Sequence, residues 1–277
     1  MTRSHAEQAE LALLLEVAGT PKPGNVDRHR DHEDLRFEHF LAGAVGASEG
    51  LRAAASGAPV GEAFETAVAG MANQRGGNTQ FGCLLLLVPL VRAAAVGDLS
   101  REGVRAVCEA TTVADAAGFY RAFEHVDVAV AEPPEGMADL DVRRGSDAVL
   151  VLEEREMTLA DVLARSEDDG NAAEWQGGFP RTFREAGRLL DDDGPVTDRA
   201  ARAFLRLLAE TEDGFVRTTA GEAAAREATE RARACLAGRE DPETLAEEFV
   251  ERGINPGTTA DITCAALYVA LERGLPV

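Results

Sequence analysis

The sequence predicts a single all-α domain with a buried helix at its centre. Apolar residues recur at helical spacing in nearly every segment of the 277-residue chain. Only two short stretches, DVAVAE and DAVLVLEE, have the composition of strands, and two short strands cannot form a core sheet. No repeat or low-complexity linker divides the chain, and EPPEGMADLDVRRG at 132–145 is predicted to be a long surface loop. We therefore expect one domain over residues 1–277.

The helices are predicted from their periodicity and their end signals. The first begins at Ser4, which forms a capping-box pattern with Glu7, and ends at Gly19. The helix over 81–97, FGCLLLLVPLVRAAAVG, is apolar on every face, so its main part at 83–96 is predicted to lie at the centre of the domain. The other predicted helices cover 33–56, 60–74, 100–110, 112–125, 158–166, 180–191, 197–212, 220–237, 242–252 and 257–273.

The charge of the chain is strongly acidic. Asp and Glu number 49 against 28 Lys and Arg, which gives a formal net charge of -21. Such an excess disfavours binding to nucleic acid or to an anionic membrane. The acids are dispersed and Lys22 is the only lysine, which favours a halophilic protein adapted to molar salt, where the Debye length falls to ~3 Å. The alternative is an acidic protein from a GC-rich genome.

The cysteines and the N-terminus indicate a soluble cytoplasmic protein. Cysteines at 83, 108, 235 and 264 include no CxxC pair, so we expect buried reduced thiols and neither a zinc site nor a disulfide framework. The N-terminus, MTRSHAEQAE, does not have the pattern of a signal peptide. The longest apolar run contains Pro89 and is too short to span a bilayer.

Asparagine is scarce, and its distribution marks three junctions. The five asparagines are Asn25, Asn73, Asn78, Asn171 and Asn255. Three of them lie in glycine-containing helix junctions, PKPGNVDR, RGGNTQFG and GINPGTTAD. Such junctions expose backbone N–H groups that bind anions, although Gly-Asn pairs also make ordinary turns. Because the three junctions hold most of the asparagine and the only lysine, we favour a functional role for them.

Four motifs resemble those of the triphosphoribosyl-dephospho-coenzyme A synthase family. TPKPGNVDRH is similar to the family's KPGLVD signature, and GGNTQFGCLLLL resembles its VNTHKG motif followed by a buried helix. GGFP at 177–180 is similar to its Gly-Phe-Pro element, and INPGTTADITCAALY resembles its SPGGSADLLA motif. The four occur in family order from Pro21 to about Tyr268. Two departures stand out: Gln80-Phe81 replace His-Lys, and in EDGFVRTTAG a threonine occupies the family's arginine position.

The resemblance implies an all-α pentosyltransferase that uses ATP. Such an enzyme joins the triphosphoribosyl group of ATP to 3'-dephospho-CoA and releases adenine. Two alternatives remain: a related ribosyl transfer to another cofactor precursor, and a non-catalytic helical protein that binds nucleotides. The expected partners are small-molecule substrates. The sequence leaves open whether the chain forms a homodimer.

The chemistry of this reaction suggests roles for three aspartates. Loss of adenine builds positive charge on the ribose C1′, and the attacking hydroxyl needs a base, for which Asp27 and Asp261 are the candidates. Mg²⁺ is expected with the triphosphate, and Asp27, Asp261 and Asp213 are its candidate ligands. The structural alternatives are a helix or turn cap for Asp27 and a first-turn dipole partner for Asp261.

The nucleotide-binding candidates come chiefly from the junctions. Lys22 is expected to reach a phosphate from an exposed loop, because its ammonium is a compact point charge that a guanidinium would not reproduce. Trp175 and Phe179 are either a cover for the adenine ring or core anchors. The full set of predicted nucleotide-binding residues is Lys22, Gly24, Asn25, Arg28, Asn78, Thr79, Arg184, Asn255 and Gly257.

Overall fold

The computed structural model describes residues 3–133, 136–166 and 169–277 and confirms the all-α prediction. Its helices, numbered in chain order, are α1 (His5–Ala18), α2 (Phe37–Gly46), α3 (Ser48–Ser56), α4 (Val60–Met71), α5 (Phe81–Ala95), α6 (Arg101–Glu109), α7 (Val113–Ala122), α8 (Val149–Glu154), α9 (Leu159–Leu163), α10 (Gly170–Gly177), α11 (Pro180–Asp191), α12 (Val196–Glu210), α13 (Gly214–Ala220), α14 (Glu222–Leu236), α15 (Pro242–Glu251) and α16 (Gly257–Glu272). Two 3₁₀ helices, Ala138–Leu140 and Val142–Ala148, precede α8. Within these ranges there is no strand.

Two helices form the centre of the fold. In α5 all residues from Cys83 to Val91 are buried, as the apolar sequence of this helix predicts. α16 packs against α5, and every residue from Thr259 to Leu271 is buried except Asp261. A helix that is apolar on all sides must be enclosed by other helices. Asp261 is therefore the one charged side chain on this stretch of α16.

The buried apolar residues form two clusters. The larger is built on α1, α3, α4, α5, α7 and α16, and the smaller fills the space between α12, α13, α14 and α15. Residues of α12 and α16 belong to both clusters, so these two helices join them. None of the helices in the described part of the chain has the length and apolar character needed to cross a membrane.

Several sequence-based boundaries are wrong. The helix predicted over 33–56 is two helices that meet at Ala47, where Gly46 and Gly70 bring α2 and α4 together: a Cβ on Gly46 would lie 2.1 Å from the carbonyl oxygen of Gly70. The possible strand at 147–154 is helical. Only Leu152 of α8 is buried, and a single inward side chain does not require a strand. Helices α10 and α13 were not expected. The predicted loop at 132–145 contains 3₁₀ turns, and its positions 134–135 lie outside the described residues.

Candidate active site

The first and last asparagine junctions lie against each other. Nδ2 of Asn25 donates to Oδ1 of Asn255 at 2.7 Å. Gly24 has a positive φ of 79°, and a Cβ at this position would lie 1.8 Å from the carbonyl oxygen of Ile254. Glycine is thus required at position 24 both for its backbone conformation and for the close approach of these two segments of the chain. The contact holds the loop after α1 on the segment that leads into α16.

The second junction meets α16 at its first turns. Oδ1 of Asn78 accepts a hydrogen bond from the backbone N–H of Phe81 at 3.1 Å and so satisfies the first backbone donor of α5. A Cβ on Gly82 would lie 2.0 Å from Oδ2 of Asp261. The missing side chain at position 82 therefore leaves the space that the Asp261 carboxylate occupies. All three junctions are assembled around the N-terminal half of α16.

Asp261 is held by two neighbouring side chains. Nδ2 of Asn171 donates to its Oδ2 at 2.8 Å, and the Cys83 thiol donates to its Oδ1 at 3.2 Å. Desolvation by burial raises the pKa of Asp261 to about 7, with the two hydrogen bonds opposing the rise and the charges of Asp213 and Glu16 adding to it. A carboxyl group that titrates near neutral pH is suited to accept a proton in catalysis.

Asp27 is buried and fully engaged by its own loop. Its Oδ2 accepts hydrogen bonds from Thr20 Oγ1 at 2.7 Å, Lys22 N at 3.3 Å and Arg30 Nη1 at 3.1 Å. Its Oδ1 accepts from the backbone N–H of His29 at 2.8 Å. This arrangement corresponds to the turn-cap alternative, because the carboxylate satisfies backbone and side-chain donors within one loop.

Asp213 ties α13 to α16. Its Oδ1 accepts from the backbone N–H of Val216 at 3.0 Å, which caps α13. Its Oδ2 accepts from both the backbone N–H and the hydroxyl of Thr259, each at 2.7 Å. Burial raises the pKa of the Asp213 carboxyl despite these hydrogen bonds. The side chain thus fixes the position of the first turn of α16, directly before the turn that carries Asp261.

The expectation that Lys22 projects from an exposed loop is wrong. Its side chain has 0% exposure, and its ammonium is paired with the carboxylate of Glu16, itself only 3% exposed. Nζ also lies 6.0 Å from the centroid of the Phe204 ring. Burial raises the pKa of Glu16, and the Lys22 charge opposes that rise. The loop residue is enclosed because α1 supplies a buried carboxylate that needs a counter-charge.

A cavity of about 290 Å³ opens beside the first turn of α16, between α10, α11 and α13. Its polar lining includes Asp169, Gly170, Arg181, Arg217, Thr258 and Thr259. The guanidinium of Arg181 is held by Glu174 Oε1 at 2.9 Å and by the Gly170 carbonyl oxygen at 2.6 Å. Thr258 and Asp261 are three residues apart and so lie on the same side of α16. Asp261 does not itself line the cavity, but it directly precedes the lining residue Ile262, so its carboxylate lies on the turn of α16 next to the cavity.

Residues 2–276 match the family model CitG, described as ATP:dephospho-CoA triphosphoribosyl transferase. The chain belongs to the CitG family. A crystal structure from Archaeoglobus fulgidus, named as a candidate triphosphoribosyl-dephospho-coA synthase, is similar to this CitG-family chain at 26% sequence identity. It covers 86% of this chain and 99% of its own, with a TM-score of 0.69. No curated protein matches the chain. The resemblance stated from the four motifs is confirmed.

The remaining predicted site residues of this CitG-family chain are only partly brought together. Thr79 adjoins the start of α5, and Gly257 begins α16 against the ring of Phe215, where a Cβ would lie at 3.2 Å. Arg28 is exposed on the loop that carries Asn25. Arg184 is exposed on α11 and pairs with Glu210 at the end of α12, which belongs to none of the three junctions.

Two further expectations are resolved by burial. Trp175 is 3% exposed and its Nε1 donates to the Leu85 carbonyl oxygen at 3.2 Å, while Phe179 is completely buried. Both are therefore core anchors.

At the departure from the CitG motif, Phe81 packs with Phe64 at a ring separation of 5.0 Å. Gln80 is 2% exposed, and neither atom of its amide has a hydrogen-bond partner among the described residues.

The three aspartates predicted as metal ligands are not grouped so that the protein alone would hold an ion. Among the described residues, no three His, Cys, Asp or Glu side chains are grouped so as to hold a metal. Asp27 and Asp213 direct both carboxylate oxygens at protein donors. Sequence reasoning also missed Glu16 and Asn171. Glu16 could have been found as the acid in the apolar run LALLLEVAG, and Asn171 as one of only five asparagines.

Proposed function

We propose that this chain transfers the triphosphoribosyl group of ATP to 3'-dephospho-CoA and that Asp261 is the general base. The observation that carries the assignment is the partly buried Asp261 carboxyl, with its pKa raised to about 7, at the meeting point of three family motifs. Membership of the CitG family supports the reaction. Asp27 is the weaker candidate, because all its interactions are those of a loop cap.

In the proposed step, a ribose hydroxyl of the acceptor attacks C1′ of the ATP ribose. The C1′–O bond forms as the C1′–N9 bond breaks, and adenine departs with the electron pair of that bond and takes a proton from water. Asp261 receives the hydroxyl proton, which raises the electron density on the attacking oxygen. Asn171 and Cys83 fix the carboxylate so that it faces one direction. A positioned base contributes roughly 10²–10⁴-fold to such a rate.

The small cavity beside α16 is the proposed seat of the reacting ribose and its phosphates. Arg181 is oriented by Glu174 and Gly170, so its guanidinium is held in place before a phosphate arrives. Thr258 and Thr259 add hydroxyl groups at the first turn of α16. Magnesium, which the triphosphate calls for, would be held by phosphate oxygens and water, since residues 3–133, 136–166 and 169–277 offer no ready ligand cluster. Lys22 acts here through Glu16, by holding the loop of the first motif.

The test is release of adenine from ATP in molar KCl, followed by chromatography. Wild type with dephospho-CoA and Mg²⁺ is expected to release adenine in proportion to the product formed. Asp261→Asn is expected to lose roughly 10²–10⁴-fold in rate, while Asp147→Asn, an exposed aspartate, serves as the matched control. Turnover by Asp261→Asn at the wild-type rate would exclude it as the base.

The same assay separates the alternatives. Adenine release only with another acceptor, such as a different cofactor precursor, would favour a related ribosyl transfer. No release with any acceptor, together with measurable ATP binding, would favour a non-catalytic nucleotide-binding protein. The cytoplasmic location and the homodimer stay predictions, and sedimentation in molar salt would determine the assembly state.

A further inference from the structure

A second and larger cavity adjoins the one beside Asp261. It has a volume of about 600 Å³ and lies between the end of α12, α13 and one face of α14. Thr211, Glu212 and Arg217 line both cavities, so the two are neighbours along a common wall. Volumes of about 300–1,000 Å³ are typical of small-molecule sites. The transfer reaction requires two nucleotides bound at once with their riboses at a single base, and the smaller cavity is too small for both.

One buried side chain in the larger cavity has an unused hydrogen-bonding group. Thr229 is 4% exposed, and its Oγ1 has no hydrogen-bond partner in the described part of the chain. A buried hydroxyl without a partner is costly, and native proteins rarely retain one without a reason. Thr229 lines the cavity, so a ligand there can supply the missing partner.

The charges of the larger cavity favour one of the two substrates. Arg217, Arg226 and Arg233 line it, and Arg233 is oriented by a hydrogen bond from its Nε to the Ala209 carbonyl oxygen at 2.7 Å. Four carboxylates also line it, those of Glu210, Glu212, Glu222 and Glu230. A triphosphate would be repelled by these acids. A pyrophosphate joined to an uncharged arm with amide and hydroxyl groups can pair with the arginines and donate hydrogen bonds to the carboxylates.

The smaller cavity differs in how its lining carboxylates are engaged. Three acids line it: Glu212, which it shares with the larger cavity, and Asp169 and Asp213, which direct oxygens at backbone N–H groups of α10, α13 and α16. The charge of these two aspartates is thereby offset within the protein, beside the oriented guanidinium of Arg181. The more highly charged nucleotide therefore fits the smaller cavity better.

We propose that the larger cavity binds the acceptor, a nucleotide pyrophosphate ester with a polar uncharged arm, and that Thr229 and Arg226 contact it. This inference rests on the proposed transferase function for the identity of the acceptor. It places the acceptor on α14 and ATP between α11 and α16, with the two riboses meeting near Asp261.

Calorimetric titration of the full-length protein in molar KCl tests the placement. Thr229→Val and Arg226→Gln are each titrated with dephospho-CoA and, separately, with Mg-ATP. Each variant is expected to weaken dephospho-CoA binding on the order of tenfold, the loss of one hydrogen bond to a charged or buried group, and to leave ATP binding unchanged. Arg239→Gln is the matched control, because Arg239 is exposed just after α14 and does not line the cavity.

Thermal melts accompany the titrations. Thr229→Val removes an unpaired buried hydroxyl, so its melting temperature should not fall, and weaker binding is then not due to unfolding. An equal loss of ATP affinity, or no change in either affinity, would overturn the placement. So would a wild type that binds no dephospho-CoA, although adenine release with another acceptor would then leave a transferase in place. Conversely, weaker dephospho-CoA binding in these variants supports the cavity even if wild type releases no adenine.

Discussion

Asn25 and Asn255 are 230 positions apart, and a hydrogen bond of 2.7 Å joins their side chains. The bond closes the loop of the first motif onto the segment that begins α16. Gly24 lies against the same segment, where it contacts the backbone at Ile254. The geometry at Asp261 therefore depends on a junction between the two ends of the site.

Gly24→Ala should disrupt this junction. Its positive φ of 79° costs an L-residue about 1–2 kcal/mol, and its Cβ would lie 1.8 Å from the Ile254 carbonyl oxygen. Gly253→Ala is the control, because Gly253 also has a positive φ, 66°, but a Cβ there meets nothing within 4 Å. Denaturant unfolding should show a clearly larger loss for Gly24→Ala. Equal losses would mean that the close approach contributes nothing.

Lys22→Ala should destabilise the fold, because it leaves the Glu16 carboxylate buried without its partner. Removal of one member of a buried ion pair typically costs about 3–5 kcal/mol. Lys22→Arg should also lower stability, since the enclosed site offers no room for the broader guanidinium. The double variant Glu16→Leu/Lys22→Met should recover most of the loss in chemical denaturation. A Lys22→Ala protein as stable as wild type would show that Glu16 needs no counter-charge.

Asp261→Asn should gain stability at neutral and alkaline pH while losing activity. The pKa of Asp261 is about 7 in the fold against an ordinary value of 3.8, so between about pH 4 and pH 7 the folded chain keeps a proton that the unfolded chain has released. The free energy of unfolding therefore falls as pH rises through this window. The difference in melting temperature between Asp261→Asn and wild type should be small at pH 4 and favour the variant at pH 8. A pH-independent difference would contradict the raised pKa.

Asn171→Ala should move the pH dependence of turnover. Its hydrogen bond to Oδ2 lowers the pKa of Asp261 and so opposes the effect of burial. Without this bond the carboxyl should titrate at higher pH, and the rise of the rate with pH should shift in the alkaline direction. Asn73→Ala, at an exposed asparagine, should leave the profile in place. A profile that only scales down in height would reduce Asn171 to a structural role.

Dialysis from molar KCl into dilute buffer should lower the melting temperature and the helical signal in circular dichroism. With a net charge of -21, the surface acids repel one another once the salt that screens them is removed. A non-ionic osmolyte at matched osmolarity should not restore stability, because it supplies no screening. If dialysis does not change the stability, the acidic composition reflects a GC-rich genome and not adaptation to molar salt.

The sequence predicts the buried elements best. Helix α5 is evident from its apolar sequence, because a helix enclosed on all sides leaves no polar face. The break at Ala47 is not evident, since it depends on the approach of Gly46 to Gly70 in another helix. The short helix α8 has the composition of a strand. Only one of its side chains is buried, and for such a segment the local composition predicts secondary structure poorly.

The candidate site could be predicted as a set of motifs but not as a geometry. The three asparagine junctions do converge, yet the roles of their charged residues follow from partners that no motif contains. Lys22 is paired with an acid of α1, and Asp261 is held by Asn171 of α10. Such pairings depend on how helices distant in sequence pack, and the motifs of the sequence do not indicate them.

The enclosure of Lys22 gives the folded chain an unusual chemical property. Lys22 is the only lysine, and its side chain has no contact with solvent. Amine-acylating reagents require an accessible, unprotonated amine, so the ε-amino group reacts only in molecules whose first loop has opened away from α1. The rate of acylation at this single position therefore reports the free energy of local opening at the first motif, without a probe having to be introduced.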